Sequence, residues 1–107
     1  STPQEIALQD VKRGIKMFDK LGVKIIGLVD NMSYFKGDDG KNYPIFGEGG
    51  VKRTAKEFGK EFLVEIPIDP EVGKFGDSGK PIVENKPEHE ISKIYLELAK
   101  KIKLIYL

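Results

Sequence analysis

Apolar positions recur along this chain in two rhythms. Leu8, Val11, Ile15 and Phe18 fall three and four residues apart, the spacing that gathers one buried stripe on an α-helix. Thr2-Pro3-Gln4-Glu5 predicts how that helix starts, with Thr2 as cap, Pro3 in the first turn and Glu5 closing a capping box. Gly22 predicts its end. Lys24–Asp30 (KIIGLVD) is then a short β-branched run, which predicts a strand buried on both faces, as in a parallel sheet. Residues 31–47 hold Gly37, Asp38, Asp39, Gly40, Pro44 and Gly47 and predict a long loop, a feature often tied to function.

The alternation then repeats. Val51, Ala55 and Phe58 mark a helix over Gly49–Phe58, with Gly59 as its stop. Phe62–Ile66 predicts a second buried strand, ended by Pro67. Asp69-Pro70-Glu71 opens a short helix, Asp69 capping and Pro70 in the first turn. Gly73, Gly76, Gly79 and Pro81 predict an irregular stretch. A last helix, from about Glu88 to about Lys103, carries Ile91, Ile94, Leu98 and Ile102 as its stripe. Strand–helix–strand implies two parallel strands joined by a right-handed crossover. Two doubly buried strands leave edges that need cover. The pattern therefore predicts an α/β fold, one unit over residues 1–107, that is half of a larger sheet.

Composition narrows the class. The chain has 107 residues, 39% hydrophobic and 33% charged, which suits one globular unit. Its 18 basic and 17 acidic residues are interspersed, so there is no electrostatic footprint for nucleic acid or an anionic membrane. The chain has no Cys, which excludes disulfides and thiolate metal sites within it. No apolar run approaches the ~20 residues of a membrane span, and a cytoplasmic location is the expectation. Ser1 in place of Met marks an excerpted or processed chain.

Candidate chemistry is sparse. The phosphate-binding pattern G-x-x-x-x-G-K-S/T occurs nowhere. Gly47-Glu48-Gly49-Gly50 precedes a helix, where free N–H groups can hold an anion, but a glycine turn into the helix accounts for it and Glu48 repels phosphate. Ligands of open α/β sheets bind beyond the carboxyl ends of the strands, here Asp30-Asn31-Met32-Ser33 and Pro67-Ile68-Asp69. An Asn there can bond both edges of adenine and a Pro can pack on the ring; equally, Asn31 can cap a turn and Pro67 merely end a strand. His89, between Glu88 and Glu90, has no metal-ligand spacing and reads as a solvated residue. Asp38 and Asp39 read as a solvated turn. Tyr34, Phe35, Tyr43 and Phe46 bracket the long loop and are expected to fold it on itself. No catalytic constellation and no metal ligand are assigned.

Four ordered blocks then carry a resemblance: Asn31-Met32-Ser33-Tyr34-Phe35, Ile45-Phe46-Gly47-Glu48-Gly49-Gly50, Ile66-Pro67-Ile68-Asp69-Pro70 and Gly76-Asp77-Ser78-Gly79-Lys80-Pro81. Together with Ser1-Thr2-Pro3-Gln4 they resemble the Mrp family of MinD/ParA-like, deviant-Walker P-loop ATPases, over nearly the whole chain up to about Ile102. The resemblance implies the C-terminal half of a Rossmann-like P-loop NTPase sheet, with the P-loop half absent from the chain. It implies ATP and Mg as ligands, with the Mg ligands outside this chain, a homodimer, iron–sulfur client proteins and a role in carrying 4Fe–4S clusters. It further implies that Asn31 contacts adenine and that Pro67 and Asp69 line the base or ribose. Without Walker residues the chain by itself is expected to be inactive. One departure stands out. Many members carry C-x-x-C after Asn-Met-Ser, and here that stretch reads Lys36-Gly37-Asp38-Asp39-Gly40-Lys41-Asn42-Tyr43, so the usual cluster ligands are missing. The alternatives are a non-enzymatic scaffold or docking module in iron–sulfur assembly, and an unrelated α/β interaction domain.

Overall fold

The structure is a computed structural model that describes residues 1–106. In chain order it contains α1 (Glu5–Lys20), β1 (Leu28–Lys36), β2 (Asn42–Tyr43), α2 (Gly50–Glu57), β3 (Phe62–Ile68), α3 (Pro70–Asp77), α4 (Ile82–Asn85) and α5 (Glu90–Tyr106). The sheet order is β2-β1-β3, with β1 parallel to β3 and antiparallel to β2. The α/β class and the parallel pair are as the sequence predicts. The strand count is not: a third strand, β2, extends the predicted pair. No helix among the described residues is long and apolar enough to cross a membrane.

Two helices end as their glycines predict. Gly22 and Gly59 have φ of 73° and 67°, a left-handed turn that costs glycine little. In both, the next N–H reaches back to the carbonyl five residues earlier, Val23 to Phe18 at 2.9 Å and Lys60 to Ala55 at 2.8 Å. The predicted start of α1 differs. Gln4, not Thr2, is the cap residue, and no side chain caps the helix; the Thr2 hydroxyl donates instead to Gln4 Oε1 at 3.1 Å. The chain is still extended at Ser1, whose N–H group donates to Val29 O and whose carbonyl accepts from Asn31 N–H, so the helix cannot begin so early. These two bonds bracket Asp30 in parallel-strand fashion.

The largest revision concerns residues 31–47. The strand placed at Lys24–Asp30 starts at Leu28 and runs on through Asn-Met-Ser to Lys36, and β2 returns beside it as a hairpin, Phe35 opposite Tyr43. Tyr34 and Phe35 are strand-forming residues, and a cross-strand aromatic pair favours the ladder over an open loop. Only residues 37–41 form the turn. There the Tyr43 hydroxyl donates to Asp39 Oδ2, and Lys41 N–H donates to Asp39 Oδ1 at 2.9 Å, so the loop does fold on itself. Likewise β3 continues through Pro67 to Ile68, and α3 runs through Gly73 and Gly76 to Asp77.

The core lies in two parts. Val64, Ile66, Ile82 and Ile91 form a buried cluster, with Val29, Val72, Phe75, Ile94 and Leu98 packed on it. This cluster joins the sheet to α3, α4 and α5. Ser92, fully buried, ties α5 to the short α4 through the carbonyls of Ile82 and Lys86. Leu8, Ile15, Val51 and Ala55 form the buried stripe of α1 and α2. Gly50 is required there: a Cβ would sit 2.5 Å from Leu8 Cδ1 and 3.1 Å from Pro3 O.

One backbone feature sits in the middle of the parallel ladder. Asn31 pairs with Ile66 and Phe35 with Ile68, so three residues of β1 oppose the single Pro67. At this bulge Met32 has φ of 55°, the one non-glycine with positive φ among the described residues. An L-residue in that region costs about 1–2 kcal/mol, and a β-branched one more. Met32→Gly is therefore expected to raise stability by roughly 0.5 kcal/mol, and Met32→Ile to lower it by about 1 kcal/mol. Urea denaturation measures both; an Ile variant as stable as the parent would mean that the bulge relaxes freely.

Candidate functional site

The carboxyl ends of β1 and β3 open on a cleft of about 430 Å³. Its walls are the hairpin turn on one side (Lys36, Asp38, Gly40) and the starts of α3 and α5 on the other (Asp69, Pro70, Glu90), with Pro67 in the floor. Of the three residues singled out in the sequence, Pro67 and Asp69 come together in this cleft. Asn31 lies outside its lining, on β1 opposite Ile66, at the foot of the bulge. Its Oδ1 accepts from Met32 N–H at 3.0 Å, and its exposed NH₂ has no partner among the described residues. A larger cavity, about 620 Å³, opens at the amino ends of the strands, but Ile25, Ile26, Phe62, Leu63, Leu104 and Ile105 make it mainly apolar. Ligands of such sheets bind at the other end.

Asp69 does two things at the cleft. Its Oδ1 caps α3 by accepting from Glu71 N–H at 2.9 Å, as predicted, and its Oδ2 lies 3.2 Å from His89 Nε2. The same Nε2 lies 2.9 Å from Glu71 Oε2, and Glu71 Oε1 accepts from Lys86 Nζ at 2.8 Å. Lys86 first and His89 further down hold the Glu71 carboxyl below its usual range. His89 is thus not the solvated residue that its charged neighbours imply; only 18% of its side chain is exposed. The residues it meets are 18 and 20 positions away in the chain, and no local pattern announces them.

Asp69, Glu71 and His89 present ligand-type atoms within 4.8 Å of one another. The imidazole, however, has the wrong tautomer for a metal. Its Nδ1 accepts the Ile91 N–H at 3.0 Å, and a backbone N–H can only donate. The ring proton of the neutral form therefore sits on Nε2, facing the two carboxylates. A metal-binding His donates from its second nitrogen, which here would set two N–H groups against each other. The cluster is a closed polar network.

The glycine segment before α2 is likewise structural. Gly47 and Gly49 have positive φ, and Pro3 O lies 3.1 Å from the Cβ positions of Gly47 and Gly50, placing a carbonyl where an anion would have to approach. Asp30 is the group sequence reasoning passed over. It is 1% exposed, its Oδ2 accepts from Ser33 Oγ at 3.0 Å, and its Oδ1 has no partner among the described residues. Burial raises its pKa, the Ser33 hydrogen bond opposes this, and Glu65 adds to the rise. Its place between the apolar Val29 and the Asn-Met-Ser block was the available signal.

Two outcomes follow. A carboxyl whose pKa is higher folded than unfolded binds protons on folding, so its contribution to stability falls as pH rises from the unfolded value through the folded one. Asp30→Asn, which keeps an acceptor for Ser33, is therefore expected to be more stable than the parent at neutral pH, with the gain shrinking as pH falls through the carboxylate range. Thermal unfolding across pH checks this, and a gain that grows in acid would refute it. Stoichiometric Zn²⁺ is expected to leave the melting temperature and the His89 imidazole ¹⁵N resonances unchanged.

Comparison with known proteins gives a consistent picture. The ParA family model, described as NUBPL iron-transfer P-loop NTPase, matches residues 1–103. An iron–sulfur cluster carrier protein of Aquifex aeolicus is 43% identical over 94% of this chain and 28% of its own length. The iron–sulfur cluster transfer protein NUBPL of Dictyostelium discoideum is 46% identical over 95% of this chain and 32% of its own. The chain thus spans about a third of the length of these relatives. Among solved structures, the cell division ATPase MinD of Pyrococcus furiosus superposes with a TM-score of 0.74 at 26% identity, over 98% of this chain and 40% of that one. A nucleotide-binding protein from Archaeoglobus fulgidus, in complex with ADP, gives 0.63 at 37% identity, over 75% and 33%.

Proposed function

This chain belongs to the ParA family of NUBPL-type iron-transfer P-loop NTPases, and from that premise we propose that it supplies the base side of an ATP site in a homodimeric iron–sulfur cluster carrier. The observation that carries the reading is the cleft at the carboxyl ends of two parallel strands, with Pro67 in its floor and Asp69 at its wall. Pro67 is largely covered, and the part of its ring that lines the cleft is the apolar surface on which a purine would pack. Asn31 lies outside the cleft lining, one ladder position before Pro67; its exposed amide has an NH₂ unengaged among the described residues and an Oδ1 with only a local contact, so it can serve as both donor and acceptor to an adenine that extends beyond the cleft. The lining sets Asp38, Asp69 and Glu90 against one lysine, Lys36, which pairs with Glu90 at 3.9 Å; this net negative surface suits hydroxyl and amine donors and disfavours phosphates, so the triphosphate and its Mg²⁺ are held elsewhere.

The cluster is cargo in this scheme, and its ligands come from outside this chain. The residues present do not fit it: the chain has no thiolate, and carboxylates and carbonyls suit hard cations instead. The hairpin that occupies the place of the family's C-x-x-C exposes Phe35, Tyr43 and Ile45. That apolar edge favours a second role in the same protein, as part of the dimer surface or a docking face for iron–sulfur clients.

In the full-length protein, Asn31→Ala is expected to weaken ATP binding about fivefold to thirtyfold, the size of one or two hydrogen bonds to a bound ligand. Lys16→Ala, on the exposed side of α1, is the control and should leave affinity unchanged. Titration with a fluorescent ATP analogue reads both, and equal effects would sink the adenine assignment.

A further inference from the structure

We propose that His89 is the positioning residue of this cleft, holding the Asp69 carboxylate in place by tying the first turn of α3 to the first turn of α5. The proposal rests on the nucleotide reading above and concerns how that site keeps its shape. His89 is absent from the cleft lining, whereas Asp69, Pro70, Glu90 and Ile91 are all part of it. It therefore acts behind the surface that a ligand would meet.

The tie has two separable ends. At one end Nδ1 accepts the Ile91 N–H, which fixes the imidazole to α5 as an Asn or Asp cap would. At the other end Nε2 faces Asp69 Oδ2 and Glu71 Oε2. The cap bond from Glu71 N–H engages only Asp69 Oδ1, so the direction of Oδ2 is left to the imidazole. Glu71 is held from its far side by Lys86. Four side chains from the starts of α3 and α5 and the segment after α4 thus close on one another. Without the imidazole, two carboxylates would be left side by side with only Lys86 to balance them, and repulsion would swing one outward. Glu71 is still held by Lys86, so Asp69 is the carboxylate that moves, and it is the one of the two that lines the cleft. A small rotation there changes which donors of a ribose or base it can meet.

The two ends can be cut one at a time in the full-length protein. In His89→Asn, Oδ1 takes the place of Nδ1 and keeps the α5 cap, but the side chain is too short to reach Asp69. In His89→Gln, the terminal NH₂ takes the place of Nε2 and keeps the bridge, but the cap is lost. A fluorescent ATP analogue should bind the Asn variant about tenfold more weakly than the parent and the Gln variant within about twofold of it, as expected for loss or retention of one charge-assisted contact. Thermal stability should rank the other way, Gln below Asn. A purely structural His89 would make affinity follow stability, and that result, or an Asn variant that binds as the parent does, overturns the proposal. The nucleotide-free proteins give an independent arm: the Asp69 carboxyl ¹³C resonance should move in the Asn variant and stay in the Gln variant. If it does so while the parent binds no adenine nucleotide, the tie exists but the ATP reading fails and the positioning role falls with it. If it moves in neither variant, the tie itself is wrong.

Discussion

The parallel pairing of β1 with β3 is the constraint from which the rest of the molecule follows. A parallel pair cannot be closed by a tight turn, so the chain must leave β1, pass through a helix and come back. The helix, α2, needs cover for its apolar face, and the close approach of Leu8 over Gly50 supplies it from α1. The other face of β3, with Val64 and Ile66, needs its own cover and receives α3, α4 and α5. Running two strands in the same direction also brings both carboxyl ends to one rim. The cleft is there because the ladder is parallel.

The ladder is interrupted at the Asn-Met-Ser block, and the interruption does useful things. Three residues of β1 against one of β3 bend the strand and re-aim its side chains. Beyond the bulge β1 continues long enough to form a hairpin, which raises the wall of the cleft. Before the bulge, Asp30 stays buried with one oxygen unpartnered among the described residues. The hairpin carries carboxylates and aromatics and no cysteine, so in this chain it serves packing and not thiolate ligation.

Around the cleft, acidic groups are numerous but mostly already engaged. Asp39 is held by Tyr43 and Lys41 within the turn, and Asp69 and Glu71 share His89. Proximity of such groups resembles a metal site in outline. The direction of each hydrogen bond decides otherwise, because the Ile91 N–H fixes where the imidazole proton must lie. What the cleft leaves open to solvent is mainly the outward faces of a few acceptors, with Pro67 largely covered beneath them.

Much of this was written in the chain itself. Spacings of three and four gave α1, α2 and α5, glycines gave the stops of α1 and α2, and Asp69-Pro70-Glu71 gave the cap of α3, because each depends on residues within one or two turns. The four ordered blocks identified the family, since their order along the chain survives without coordinates. The tertiary structure alone decided the rest. Asn-Met-Ser became strand and bulge because Pro67 and Ile68 lie beside it, Thr2 lost its capping role because Ser1 pairs with β1, and His89 became a half-buried tie because α3 and α5 bring their first turns together. Those outcomes depend on partners from 18 to 36 positions away in sequence, and local pattern holds no information about which distant group will satisfy a given donor or acceptor.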